Sequence, residues 1–182
     1  MLLLTQFLLR VSFGLALAMA TVSPKQVSSG YFRNHLYVIL GLSALATLLS
    51  RAVAADAFAW ALAAAVLSYV ASVAWLYEKQ KAGIILLVLV GATALISAFI
   101  MVETPAALPR ALESASTAAA TTLRYAQTSV SGLVLGFTMA AMLLGHWYLN
   151  APGMELAPLR RLLVAMALVV AVHAVICSIG LG

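Results

Sequence analysis

Six stretches of about twenty mostly apolar residues, separated by polar or charged turns, fill most of this 182-residue chain. A helix needs about 20 such residues to cross the hydrocarbon core of a bilayer. The turns carry helix-breaking or charged sequence, such as SPKQVSSG after the first stretch and EKQK after the third. The pattern predicts six transmembrane helices, at about 2–22, 32–50, 52–77, 82–102, 127–148 and 158–181.

The composition favours a membrane-embedded fold over a water-soluble one. Hydrophobic residues make up 65% of the chain and charged residues 8%, whereas soluble domains are about 45–50% apolar and about 25% charged. A chain this short cannot hide so much apolar surface from water. We therefore expect an all-α integral membrane protein that forms a single transmembrane domain over residues 1–182.

One connection, between the fourth and fifth predicted helices, is long enough to hold structure of its own. Its Ala, Leu and Glu residues favour a helix, but its Ser and Thr residues and weak apolarity argue against a membrane span. Structureless loops of this length are uncommon. A short interfacial helix from about residue 109 is therefore predicted here.

Lys and Arg residues are unequally divided between the two sides of the predicted bundle. Loops 1–2, 3–4 and 5–6 hold Lys25, Arg33, Lys79, Lys81, Arg160 and Arg161, and the other two loops hold Arg51, Arg110 and Arg124. The positive-inside rule then places the first group in the cytoplasm and both termini outside a bacterial inner membrane. The net charge of +5 is thus interpreted as a topology signal and a contact with anionic lipid headgroups, and no nucleic-acid partner is expected.

The chain lacks the motifs of stand-alone catalysis. It contains no H-E-x-x-H, no G-x-S-x-G, no P-loop and no paired carboxylates. Its single cysteine, Cys177, excludes an internal disulfide and a C-x-x-C-H haem attachment. We do not expect this chain to be an enzyme by itself, although it could be a subunit of an oxidoreductase complex.

Three histidines are the candidates for cofactor chemistry, because an ionisable side chain at membrane depth is costly and by default suggests a function. His35 opens the second predicted helix and His146 closes the fifth, so their depths match, while His173 lies deeper in the sixth. Two histidines at one depth could ligate the iron of a haem b, or bracket the head group of a quinone. Arg33 and Tyr148 are close enough in sequence to hydrogen-bond haem propionates or quinone oxygens.

In the segment GHWYLN, residues 145–150, either His146 or Trp147 can face the interior of the bundle. Because a helix turns about 100° per residue, His146 and Trp147 cannot both face the bundle. We expect His146 to face inward near His35, with Trp147 leaning toward lipid or a partner. The alternative is an interfacial anchor, since such residues are common at membrane surfaces; for His173 the alternative is a hydrogen-bonded packing role.

Arg10 is the one charged residue near the middle of the first predicted helix, and its guanidinium cannot be deprotonated. Asp56, early in the third helix, is the acid that is clearly embedded in the same half of the membrane. An intramembrane ion pair between Arg10 and Asp56 would satisfy both charges. The alternative is that Arg10 extends its head group to the outer surface.

These observations leave three classes of function. The preferred class is a membrane subunit of a respiratory electron-transfer complex, with a haem b or quinone site at the cytoplasmic face. The second is a small transporter or channel subunit that uses Arg10, Asp56 and His173 as a polar path. The third is a structural or assembly subunit whose Ala-rich helix faces pack against other membrane proteins. In each class the bilayer is a partner, and in the first and third so are other membrane subunits.

Overall fold

The computed structural model describes residues 1–102, 118–150 and 155–180, and these residues form six α-helices. Each helix is long and apolar enough to cross a membrane. The prediction of an all-α integral membrane protein with six transmembrane helices is confirmed. In chain order the helices are α1 Leu2–Ala20, α2 Ser29–Val53, α3 Ala55–Leu76, α4 Gln80–Val102, α5 Ala118–Asn150 and α6 Ala157–Gly180.

Short connections make the first four helices antiparallel neighbours. α2 and α3 are separated by Ala54 alone, whose extended backbone (φ −154°, ψ 96°) interrupts the helical geometry. Beyond α3, Glu78 has a φ of 56°, in the left-handed region, and the chain reverses there within a few residues. Pro158 lies in the first turn of α6, where its missing N–H costs no helical hydrogen bond.

The first helix is the centre of the bundle. α1 packs against α2, α4 and α5, and 67% of its spanning segment is buried. α3 packs against α2 and α4, whereas α6 packs on α5 and only 6% of its spanning segment is buried. We call the end at which α2, α4 and α6 begin, and α1, α3 and α5 finish, the odd-loop end.

Small side chains line the contact of α3 with its neighbours. Ala57, Ala61, Ala64 and Ser68 are fully buried and follow one another at spacings of three or four residues, which places them on one helix face. Ser97 of α4 donates a hydrogen bond of 3.0 Å from its hydroxyl to the carbonyl of Ala57. Small residues let backbones approach closely in lipid, and here they permit a direct side-chain-to-backbone bond between helices.

The backbones of α1 and α5 come into contact at three glycines. A Cβ added to Gly14 would lie 1.8 Å from the carbonyl oxygen of Gly132, and a Cβ added to Gly136 would lie 1.8 Å from the carbonyl carbon of Gly14. Only glycine fits at these positions, because the two backbones touch. We call Gly14, Gly132 and Gly136 the glycine seam. Its α5 half is a G-x-x-x-G motif, which the sequence displays as GLVLG.

The predicted helix boundaries hold to within a few residues except at the start of α5. That helix begins at Ala118, well before the predicted start near 127, so residues 118–126 belong to a spanning helix and not to the connection. Extending an existing helix adds one hydrogen bond per residue without a new nucleation cost, and the Ala-rich sequence permits it. The interfacial helix predicted from about 109 falls in residues 103–117, which lie outside the described residues.

The glycine seam makes a stability prediction. Gly136→Ala places a methyl group against the backbone of Gly14, so the helices must separate, and overpacking of this kind costs about 1–3 kcal/mol or more. Gly145→Ala in the same helix is the matched control, because a Cβ there meets nothing within 4 Å. We expect thermal unfolding in one detergent to show a large loss for Gly136→Ala and no loss for Gly145→Ala. Equal unfolding temperatures for the two variants would contradict the backbone contact between α1 and α5 at the glycine seam.

Candidate functional site

Five rings from three helices come together at the odd-loop end. Tyr31, Phe32 and His35 lie in the first turns of α2, Trp75 in the last turn of α3 and Trp147 in the last turn of α5. We call these five residues the aromatic cluster. The sequence does not single out Tyr31, Phe32 or Trp75, because tertiary packing decides which helix ends meet.

The cluster is closely packed. The rings of Phe32 and Trp75 are stacked, with centroids 3.9 Å apart and planes within 3°. Tyr31 meets Phe32 edge-on at 5.3 Å and Trp147 edge-on at 6.3 Å. Tyr31, Phe32 and Trp75 are 0–1% exposed. The rings of Phe32 and Trp75 thus cover one face of each other, and the ring of His35 lies beside Tyr31, with centroids 4.2 Å apart.

Glycines bring the helix backbones against the two indoles. A Cβ on Gly83, at the start of α4, would lie 2.6 Å from Nε1 of Trp75, so this ring rests directly on the α4 backbone. A Cβ on Gly30 would lie 3.6 Å from the ring of Trp147, an ordinary van der Waals contact. Trp75 is thus clamped tightly, whereas Trp147 is held more loosely and is only half-buried.

His35 is the one buried histidine of the three. Its Nδ1 is hydrogen-bonded to the backbone carbonyl of Tyr31, one turn earlier. A carbonyl can only accept, so Nδ1 carries the proton and donates it. In the neutral ring the lone pair is then on Nε2, which is the atom that can accept a hydrogen bond or ligate a metal ion.

Two donors of the cluster have no hydrogen-bond partner among the described residues. They are the hydroxyl of Tyr31 and the indole Nε1–H of Trp75, both buried. Leaving such a donor buried and unpaired costs about 1–3 kcal/mol. Buried polar groups nearly always have a partner, so two unpaired donors in one cluster are an unusual feature of this end of the bundle.

The structure reverses the orientation predicted for GHWYLN. Trp147 faces the bundle and packs on Tyr31, while the side chain of His146 is exposed. The rotation of α5 given by the glycine seam leaves both side chains possible. At 100° per residue Trp147 is about 20° and His146 about 80° from the direction of Gly136, but from Gly132 the angles are about 60° and 40°. The contacts of Trp147 with Gly30 and Tyr31 of α2 decide between them, and nothing in the sequence of α5 alone signals those contacts.

The remaining predicted site residues are dispersed. Because His35 is buried and His146 is exposed on another helix, the packing does not direct both rings toward one iron atom, and haem ligation by this pair stays a prediction. Arg33 is half-buried, and Tyr148 donates its hydroxyl to the carbonyl of Glu155. His173 of α6 is half-buried, with Nε2 3.7 Å from the sulfur of Cys177, and its buried Nδ1 has no hydrogen-bond partner in the part of the chain that the structure describes.

Arg10 is hydrogen-bonded to α5 in the part of the chain that the structure describes. Its two terminal guanidinium nitrogens donate to the hydroxyls of Ser131 and Thr128 on α5, each at 3.3 Å. Asp56 is exposed in the first turn of α3. The Arg10–Asp56 ion pair is not among the contacts of the described residues and stays a prediction. The hydroxyls of α5 reach Arg10 because the glycine seam holds α5 against α1. The guanidinium Nε stays buried without a partner among the described residues.

The amino-acid sequence and the fold were also compared with known proteins. No family model, no curated protein and no solved structure matches this chain.

The contacts of Arg10 predict which substitutions destabilise the bundle. Replacing both hydroxyls (Thr128→Val with Ser131→Ala) leaves the guanidinium without its described acceptors, and hydrogen bonds to charged groups contribute about 1.5–3 kcal/mol each. Asp56→Asn, at an exposed position, should stay within about 0.5 kcal/mol of the parent. Thermal unfolding in one detergent measures both. If Asp56→Asn destabilises the protein and the double variant Thr128→Val with Ser131→Ala does not, the result would support an ion pair between Arg10 and Asp56.

Proposed function

We propose that this chain is a membrane subunit of an electron-transfer complex and that the aromatic cluster binds the head group of a quinone. The observation that supports the proposal is the pair of buried, unpaired donors, the hydroxyl of Tyr31 and Nε1–H of Trp75. A quinone head group is flat and carries carbonyl oxygens that only accept hydrogen bonds. It therefore supplies the acceptors that both donors lack among the described residues, and in place of Trp147 it can pack against the ring of Tyr31.

The surroundings of the cluster suit an amphiphile of this kind. The aromatic cluster is continuous with a buried apolar core that includes Met19, Leu36 and Leu144. Trp147 is the one aromatic ring of the cluster that is not fully buried, so displacing it breaks the fewest buried contacts. We propose that the head group reaches Tyr31 and Trp75 past this ring and that its tail stays in the lipid.

His35 favours a quinone over a haem at this site. Its proton is committed to the carbonyl of Tyr31, so Nε2 is available as an acceptor for a hydroxyl of the reduced head group, a quinol. Haem b would need a second axial ligand, and the side chain of His146 is exposed. The proposal therefore assigns His35 to proton exchange with the quinol and gives no role to His146.

The test measures the binding of a short-chain quinone to the purified protein through the quenching of its tryptophan fluorescence. Tyr31→Phe removes the unpaired hydroxyl and keeps the ring, so stability should be unchanged or improved. Binding should weaken about three- to tenfold, the equivalent of one hydrogen bond. The matched control is Tyr37→Phe, at a 49% exposed position on the same helix, which should bind as the parent does.

Two results would contradict this proposal. One is the absence of saturable quenching in the parent protein, and the other is equal affinity in Tyr31→Phe and Tyr37→Phe. A reduced-minus-oxidised absorption spectrum of the same preparation distinguishes the cofactors. A haem signal that is lost in His35→Ala would show that the site binds a haem and not a quinone.

A second candidate function, a structural or assembly subunit, is favoured by α6. Only 6% of its spanning segment is buried, against 39–67% in the other five helices. Because α6 packs on α5 and otherwise leaves apolar side chains exposed, such as Leu168 and Ile179, we propose that it contacts another membrane subunit. This role is compatible with quinone binding, since one subunit can do both.

The assembly role predicts that extraction from the native membrane in a mild detergent yields a particle larger than one chain. Replacing Ile179 by Trp should disturb a partner packed on α6 and reduce co-purification. Leu48→Trp, at a similarly exposed position on α2 (67% against 65%), serves as the control. A monodisperse single chain from the native membrane, with quinone-linked turnover intact, would rule out the assembly role.

A further inference from the structure

A cavity and a groove meet at the start of α6, away from the aromatic cluster. The cavity has a volume of about 230 Å³ and lies between the connection that follows α1 and the first turns of α6. Its walls include the polar side chains of Ser23, Gln26 and Arg161. Since one water molecule occupies about 30 Å³ in the liquid, the cavity has room for a polar group of several non-hydrogen atoms.

A shallow, open strip of surface, which we call the groove, runs from the same place along one face of α6, and all the residues that line it belong to this helix. It shares Arg161 and Ala165 with the cavity. Arg160 lies at its polar end, and Val164 and Leu168 lie at its apolar end. The order along the helix is therefore basic, then apolar, from the membrane surface inward.

The charges at this end of α6 favour an anion. Arg160 and Arg161 are both exposed, and Lys25, which precedes the cavity residue Gln26 in the chain, adds a third positive charge to this end of the bundle. The one described carboxylate here, that of Glu155, accepts a hydrogen bond of 3.0 Å from Nε2 of Gln26. This bond ties the connection after α1 to the start of α6 and closes one wall of the cavity.

We infer that the cavity and groove together bind one anionic phospholipid. Its phosphate and headgroup occupy the polar cavity beside Arg161, where the positive end of the α6 dipole adds to the attraction. One acyl chain lies in the groove along Val164 and Leu168. Arg160 and Arg161 sit in the first turn of a spanning helix, which is the depth at which lipid phosphates lie. The bound lipid would brace α6, which packs mainly on α5, against the end of α1.

The experiment is native mass spectrometry of the delipidated full chain with equal amounts of phosphatidylglycerol and phosphatidylcholine of identical acyl chains. The parent protein should retain phosphatidylglycerol preferentially. Arg160→Gln with Arg161→Gln should weaken its binding about tenfold relative to a control that removes the same charge, Lys79→Gln with Lys81→Gln, since one charge-assisted hydrogen bond has about that effect. Lys79 and Lys81 are exposed at the same end of the bundle.

A steric variant separates a built site from general attraction to basic residues. Ala165→Trp fills the wall that cavity and groove share and leaves the charge unchanged. It should lose phosphatidylglycerol as the arginine variant does, and in both cases the lipid should no longer raise the unfolding temperature. Circular dichroism and gel filtration confirm that each variant is folded.

Three outcomes would overturn the inference. Equal lipid retention by the arginine and lysine variants would show that the lipid preference comes from general surface charge and not from this site. Full retention by Ala165→Trp would place the lipid elsewhere. Stabilisation by inorganic phosphate alone, equal to that by phosphatidylglycerol and lost in the arginine variant, would assign the cavity to free phosphate. The quinone assay on Tyr31→Phe is independent of all three.

Discussion

In a bilayer no hydrophobic force draws two apolar helices together, because lipid tails are as apolar as the side chains that they would replace. Helix association then relies on close packing and on hydrogen bonds. Both are concentrated here between α1 and α5. Gly14, Gly132 and Gly136 let the two backbones touch, and Arg10 donates to two hydroxyls of α5 within the same contact.

The glycine seam restricts how α5 can rotate about its own axis, because Gly132 and Gly136 must both lie against α1. The packing of Trp147 on Gly30 and Tyr31 then brings its indole, and not the neighbouring imidazole, into the interior. The side chain of His146 is exposed. The aromatic cluster at the odd-loop end thus depends on contacts of α5 with two other helices, α1 and α2.

Both proposed sites lie at the odd-loop end, but they differ in what they offer a ligand. The aromatic cluster is buried and offers two unpaired donors, those of Tyr31 and Trp75, which suits a flat acceptor. The cavity beside Arg161 is polar, basic and continuous with an apolar groove, which suits an anionic amphiphile. An anionic ligand suits only the cavity, because burying a full negative charge among the rings of the aromatic cluster would be costly.

The amino-acid sequence by itself determined the fold class, the number of spanning helices and most of their limits, because length and apolarity alone decide whether a segment can cross a bilayer. It also singled out His35 and Arg10 as polar groups that must find partners within the bundle. It did not reveal the partners. Arg10 meets hydroxyls of α5, and Trp147 replaces His146 beside Tyr31. These choices belong to tertiary structure, since they depend on which helices touch and at what rotation, and in lipid that is decided by a few small residues whose contacts lie far apart in the chain.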